Sequence, residues 1–412
     1  MSHIRPLVPL LITAGILIGG NGLQGTFISL RASQEGFSTS LIGVVGAGYN
    51  VGFAIGCIYV SRVLRAIGHI RTFSAMAAIA AASSLAMLLV IEPTFWFFMR
   101  LLAGLCFACL FATVESWLNA SVTNANRARM LSLYRLVDLG SVTAAQYLIP
   151  GVGIGGFQLF AIISMALTLS LVPISLADRS SPIAPEAIRF DVKKLWNISP
   201  LATVGCIVVG LTNAAFRSLG PIYGQQIGLS VTEIASFMSA GIIGGVVLQY
   251  PLGLYSDKLD RRVIILVAAL GATLAALFLA IFAGGDEWRN LAGIFVFGAF
   301  AMPLYSLCSA HANDHAGEGE HALVSAGMLF FWSIGAIIGP LFASVLLDLF
   351  GPNALFTYTA VVMVAFMGYT GLRMSARPGV PTEARHGRFR NLLRTSAFFN
   401  KLAGEGKNGE ER

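Results

Sequence analysis

Residues 95–119, FWFFMRLLAGLCFACLFATVESWLN, form 25 residues with only Arg100 and Glu115 charged. A helix rises about 1.5 Å per residue, so some 20 such residues cross the ~30 Å hydrocarbon core of a bilayer. Reading outward from this stretch, comparable apolar runs follow one another along the chain at 7–30, 41–60, 72–91, 95–119, 130–150, 154–177, 200–224, 233–255, 263–283, 289–310, 323–347 and 352–373. Lipid offers no hydrogen-bond partner to stray backbone, so these runs predict spanning helices. The expected fold class is an all-α membrane protein of twelve transmembrane helices in two pseudo-symmetric six-helix bundles.

Composition excludes the main alternatives. With 412 residues, 56% hydrophobic and 11% charged, and a mean hydropathy of +0.76, the chain carries too little charge to cover a water-facing surface. Barrel strands are ~10-residue alternating segments, which these continuous runs are not. The 45 glycines suit helices that approach closely through small faces. The five cysteines all lie in apolar runs and outline no disulfide framework.

The formal charge of +7 is placed for a membrane rather than for nucleic acid. With the N-terminus in the cytoplasm, the cytoplasmic connections collect Arg62, Arg65, Arg71, Arg127, Arg129, Arg179, Arg189, Lys193, Lys194, Lys258, Arg261 and Arg262, against Arg31 and Arg289 opposite. That bias predicts both termini in the cytoplasm of a multi-pass inner-membrane protein. Residues 1–30 do not read as a cleaved signal peptide, because the apolar stretch from Leu7 is too long.

The longest hydrophilic interruption, DRSSPIAPEAIRFDVKKLWNIS (Asp178–Ser199), divides the chain. The expected organisation is an N-terminal bundle at 1–177, a cytoplasmic central loop at 178–199, a C-terminal bundle at 200–375 and a basic, disordered cytoplasmic tail at 376–412. The halves repeat faintly. Asn21 and Asn213, Gln34 and Gln226, Gly36 and Gly228, and Ser38 and Ser230 match at an offset of 192; Gly104 and Gly298, and Asn119 and Asn313, match at 194. Internal duplication of this kind is a transporter signature, with the binding site at the interface of the repeats.

With these features the chain resembles the major facilitator superfamily over nearly its whole length. The best local match is GLYSDKLDRR (Gly253–Arg262), similar to the family's loop signature Gly-x3-Asp-Arg/Lys-x-Gly-Arg-Arg. The resemblance implies that Asp257, Lys258, Arg261 and Arg262 exchange partners as the two bundles rock. The first-half copy, SRVLRAIGHIR from Ser61, departs from it, with Ser61 at the glycine and Arg65 at the aspartate. The fourth span, followed by NRARML, resembles the YcaD-type branch. Over its length the chain also resembles bacterial vitamin importers, in particular the riboflavin-importing branch of alphaproteobacteria.

Charges within lipid depth call for a partner or a function. Arg100 resembles the helix 4 arginine of proton-coupled family members, and snorkelling to the interface is the alternative. Glu115 and Asn119 share a face, one turn apart. The resemblance implies that Glu115 locks onto Arg127 or Arg129; proton carriage and a static ion pair are the other readings. Arg135 and Asp138, at i and i+3, neutralise each other if they form a structural pair, or place Asp138 as a proton site if they face a cavity.

Candidate substrate contacts are Asn21 and Gln24 in the first span, Asn213 and Arg217 in the seventh, Gln249 and Tyr250 in the eighth and Tyr305 in the tenth. Arg217 has no acidic residue within its own helix. Interior amides pair with ligand carbonyls and ring nitrogens, or with neighbouring helices. The 28 Phe, 10 Tyr and 5 Trp offer stacking surfaces, although most face lipid.

The spacings Cys106/Cys109, His311/His315 and Met363/Met367 suit a soft metal but fall on three different helix regions, so no metal site is assigned. No nucleotide, zinc-protease or nucleophile-elbow motif is present, and neither enzyme activity nor a cofactor is expected. The sequence therefore reads as a monomeric secondary transporter of a small organic solute, working by alternating access, with riboflavin uptake as the best assignment. Its rivals are a proton-driven exporter of drugs or metabolites, a copper importer, and a membrane receptor.

Overall fold

The computed structural model describes residues 8–120, 127–176, 191–282, 284, 286–317 and 320–376. Every regular element among them is helical. Unit one contains α1 (Val8–Gln34), α2 (Thr39–Ile67) from Val45 onward, α3 (His69–Leu89), α4 (Pro93–Ala120), α5 (Arg127–Gln146), α6 (Leu148–Val152), α7 (Gln158–Leu169) and α8 (Leu171–Leu176). Unit two contains the first turn of α2 (Ser38–Val44), α9 (Val192–Ile198), α10 (Pro200–Gln226), α11 (Val231–Val247), α12 (Gln249–Lys258), α13 (Arg261–Phe282), α14 (Glu287–Ala301), α15 (Leu304–Asp314), α16 (His321–Phe350) and α17 (Ala354–Ala376).

Among the described residues, eleven helical segments are long and apolar enough to cross a membrane. The twelfth expected span, α5, is more polar because it carries Arg127, Arg129, Arg135 and Asp138. Several spans run well past the expected limits: α2 has 29 residues and α16 has 30, enough helix to project beyond the hydrocarbon.

Proline explains most of the breaks. α5 ends at Gln146, α7 at Leu169 and α11 at Val247, each four residues before a proline (Pro150, Pro173 and Pro251). Proline lacks the N–H that would bond to that fourth-back carbonyl, and its ring crowds it. Pro221 and Pro340, by contrast, lie inside helices that continue.

Within the expected central loop, Val192–Ile198 folds into a helix that Asp191 caps, its Oδ1 accepting from the N–H of Lys194 at 2.9 Å. The rest of that loop (178–190) and the tail from 377 lie outside the described residues, as do the calls on Arg179 and Arg189.

The repeat is built into backbone geometry. After α1, three N–H groups return to carbonyls: Glu35 to Arg31, Gly36 to Ser33 and Phe37 to Ala32. After α10, Ile227, Gly228 and Leu229 make the same three bonds, to Tyr223, Gln225 and Gly224. Gly36 and Gly228 both adopt positive φ, 81° and 87°, which a side chain would disfavour. Ser38 and Ser230 then cap α2 and α11, each Oγ accepting from the N–H three residues on at 3.3 Å.

Helix contacts repeat as well. A Cβ on Gly104 would overlap the carbonyl oxygen of Tyr49, and one on Gly298 that of Gly241; Gly52 faces Leu101 and Gly244 faces Phe295 in the same way. Each unit therefore brings its second and fourth spans together through glycine, backbone against backbone.

Candidate functional site

In unit one, α4 delivers Arg100 to the interior, where it is 6% exposed. Its Nη1 donates to Oε1 of Gln24 on α1 at 2.9 Å, and the guanidinium stands 4.5 Å from the ring centroid of Tyr49 on α2. The cation rests on neutral groups: an amide oxygen and an aromatic face. Its Nε and the Gln24 Nε2 are buried donors without an acceptor among the described residues. The Tyr49 hydroxyl donates to Oδ1 of Asn21 at 2.8 Å, so Asn21, Gln24, Tyr49 and Arg100 form one polar cluster across α1, α2 and α4.

About four turns of α4 later, Glu115 is 0% exposed, and neither carboxylate oxygen has a hydrogen-bond partner among the described residues. Among the described residues, Asp138 and Tyr134 of α5 and Cys57 of α2 are within electrostatic reach of it. Arg135 and Asp138 make the expected pair, Nη1 to Oδ2 at 3.3 Å. The side chains of Asn119, Arg127 and Arg129 lie outside the described residues.

In unit two, Arg261 begins α13 and is 2% exposed. Its Nε lies 2.5 Å from Oδ2 of Asp314 at the end of α15, Nη2 is 3.1 Å from Oδ1 of Asp257, and Nη1 donates to Ser256 Oγ at 2.8 Å. Arg262 binds Asp260, with Nη2 to Oδ2 at 2.7 Å. Burial pushes the Asp260 carboxyl up, but hydrogen bonds from the side chain and backbone of Arg262 outweigh it and hold it below the usual carboxylate range. Lys258 is exposed.

The two motif copies part company here. At the offset of 192, His69 stands where Arg261 does. His69 is buried, and its Nε2 is 2.9 Å from Ser116 Oγ on α4. A histidine–serine contact thus stands where unit two has its arginine–aspartate pair.

The remaining amide and aromatic candidates separate. Asn213 is buried on α10, and its Oδ1 lacks a hydrogen-bond partner among the described residues. Gln249 Nε2 donates to Ser306 Oγ at 3.4 Å. Arg217 and Tyr305 are half-buried, and Tyr250 is 66% exposed. No group of three or more potential ligands from His, Cys, Asp and Glu converges on a metal position among the described residues. An open cleft of about 570 Å³ lies elsewhere, lined by Asp191, Lys193, Lys194, Asn197, Ile198 and His315.

Residue reading missed Tyr49, His69 and Asp314. His69 was legible as the position of the first signature arginine in the first-half copy. Asp314 follows Asn313, one of the repeat matches, and its acid at the end of a span was the signal. Tyr49 carried none, because an aromatic residue in an apolar run looks like packing.

The model of the Major Facilitator Superfamily matches residues 10–289. The chain belongs to the major facilitator superfamily. It is 26% identical over 381 residues to the uncharacterized MFS-type transporter YcaD of Escherichia coli O7:K1 (strain IAI39 / ExPEC), covering 91% of this chain and 96% of that one. Its fold matches a crystal structure of a mutant of the nucleoside transporter NupG with a TM-score of 0.77 at 12% identity, covering 89% of this chain and 99% of that one. A bacterial homologue of the human lysosomal transporter Spinster, in an inward-facing and occupied conformation, matches with a TM-score of 0.74 at 13% identity, covering 92% and 98%. These likenesses establish a multi-pass membrane transporter fold; at such identity the two solved structures speak for the fold alone.

Proposed function

We propose that this superfamily member is a secondary active transporter of the bacterial inner membrane, with both termini cytoplasmic, that takes up riboflavin by alternating access. The observation that carries the solute class is the buried Arg100, whose cation among the described residues meets an amide oxygen and an aromatic face, and whose Nε, like the Gln24 Nε2, finds no acceptor there. Such donors match a solute rich in carbonyl oxygens and ring nitrogens, as an isoalloxazine is. Within that class, the sequence resemblance to vitamin importers is the ground for choosing riboflavin. Ligand drives closure only through unequal affinity for the two faces, and donors left unsatisfied in one state supply such a difference.

The test is growth and labelled uptake in a riboflavin-requiring strain that expresses this chain. Saturable uptake, lost in Arg100→Ala, supports the proposal. Absence of uptake with the protein present in the membrane retires riboflavin as the substrate.

A further inference from the structure

The short helix α9 ends at Ile198, and the span α10 begins at Pro200. The 27 residues of α10 rise about 40 Å, the thickness of a bilayer with its headgroups, so α9 lies at headgroup depth. One side of α9 is fixed to the bundle. Leu195 is buried and fills the space that Gly327 of α16 leaves open, and Lys194 beside it pairs with Glu320.

The other side carries two kinds of surface. Val192 and Trp196, one turn apart, are 50% and 45% exposed and form an apolar stripe. Lys193 and Asn197, also one turn apart, are exposed next to it. Beyond them opens the cleft of about 570 Å³, within the size range of small-molecule sites. Its acid, Asp191, is turned to the helix, where Oδ1 accepts from the N–H of Lys194. His315 closes the cleft just after the end of another span, Glu287–Asp314. Its Nδ1 donates to the His311 carbonyl at 2.9 Å, which leaves Nε2 as its other polar side-chain atom.

A tryptophan and an adjoining lysine at this depth suit one environment. The indole ring settles at headgroup level, and the ammonium reaches phosphate.

We propose that α9 is an interfacial helix whose cleft holds the headgroup of an anionic phospholipid. The phosphate meets the ammonium of Lys193 and the amide of Asn197, and the acyl chains run past Val192 and Trp196. A zwitterionic lipid brings its own cation, which Lys193 and Lys194 repel, so the site selects by headgroup charge. Through Leu195 and Lys194 the bound lipid is linked to the first turns of α16. The site depends on neither the orientation nor the solute proposed above.

The first experiment places the full chain in nanodiscs of phosphatidylglycerol brominated on the acyl carbons nearest the glycerol. The fluorescence of Trp196 is read as the native chain minus Trp196→Phe. Quenching of that difference by bromine is expected. An unquenched difference means that the stripe is covered by protein or stands off the bilayer, and it overturns the proposal.

The second experiment titrates the full chain in detergent with phosphatidylglycerol or phosphatidylcholine and counts retained lipid by native mass spectrometry. Preferential retention of phosphatidylglycerol is expected. Lys193→Gln is expected to weaken it about fivefold, the usual effect of one lysine at an anionic surface, and Lys193→Arg to restore it. Arg289→Gln, at the opposite end of the span that His315 follows, is expected to leave it unchanged. Equal losses in Lys193→Gln and Arg289→Gln would reduce the effect to overall charge and refute a built site. Displacement by inorganic phosphate at the same concentration as the lipid would make the cleft a site for soluble anions and refute the lipid.

Discussion

Arg100 donates to Gln24 at 2.9 Å between two helices of the same unit, both side chains buried and neither an acid. A guanidinium held by an amide is positioned but not neutralised. Gln24→Ala removes that acceptor and is expected to destabilise the protein by about 1–3 kcal/mol, the range for a buried polar group left unsatisfied. Gln24→Glu places a carboxylate there instead. It is expected to raise the unfolding temperature while lowering solute uptake, because the cation is then spent on the protein. Thermal unfolding in detergent and uptake assays, run side by side, separate the two effects.

The paired glycines make a symmetric prediction. Gly104→Ala and Gly298→Ala each drive a methyl group into a carbonyl oxygen of the facing helix, Tyr49 in one unit and Gly241 in the other. Backbone yields less readily than a side chain, so both variants are expected to lose about 1–3 kcal/mol or more. Gly140→Ala, with nothing near its Cβ position, serves as the control. Equal stability of all three in detergent would contradict the close approach.

Arg261 and Asp314 are both buried and directly paired. Arg261→Gln strands an acid in the interior, and losses of about 3–5 kcal/mol are typical of such half-broken pairs. Adding Asp314→Asn to Arg261→Gln is expected to recover part of the loss, since the more buried of the two acids that Arg261 meets is then neutral. A double-mutant cycle of unfolding free energies measures the coupling.

Outside the spans, Lys194 Nζ lies 2.6 Å from Oε1 of Glu320, holding α9 to the start of α16. The hydrogen bond and charge of Glu320 raise the Lys194 ammonium above its ordinary value, and the hydrogen bond from Lys194, with one from the Gly317 N–H, holds the Glu320 carboxyl below its own. The signs are opposite. A depressed carboxyl stabilises above its unfolded value near ~4.3 and loses that contribution as pH falls through the folded value; a raised ammonium stabilises below ~10.4 and loses it as pH rises through the folded value. The pair is therefore expected to act across the neutral range and to fade at both extremes. Both groups are solvated, so salt should weaken it. Glu320→Gln should flatten the acid side of the stability-against-pH curve at low salt; an unchanged curve counts against the pair.

The first turn of α2 has a borrowed acid. Ser230 and Glu233 form a complete capping box on α11, whereas the equivalent of Glu233 is Leu41, and Asp348 of α16 accepts instead from the N–H and hydroxyl of Ser40. Asp348→Ala is expected to lose about 1 kcal/mol, the usual worth of a cap. Leu41→Glu in that background supplies a capping box in cis and should restore most of it. Failure of this rescue in thermal unfolding would show that Asp348 matters for some other reason.

What the chain determines alone is what depends on local composition and on solvent. Continuous apolar runs such as 95–119 must span, because backbone in lipid has to bond within its own helix. Pro150, Pro173 and Pro251 stop helices four residues back, because the missing N–H acts along the chain. The matched glycines and serines of the repeat reappear as matched turns and caps for the same reason: φ preference and capping are properties of a few consecutive residues. What only the tertiary structure decided is the partner of each intramembrane charge. Arg135 and Asp138 were legible as a pair because they lie on one helix. Arg100 with Gln24 and Tyr49, Arg261 with Asp314, and Glu115 with no donor among the described residues depend on which faces of separate helices meet. In lipid those faces meet through small residues and shape rather than through any pattern written along one helix, so the ionic chemistry of this protein is settled across helices while its topology is settled within them.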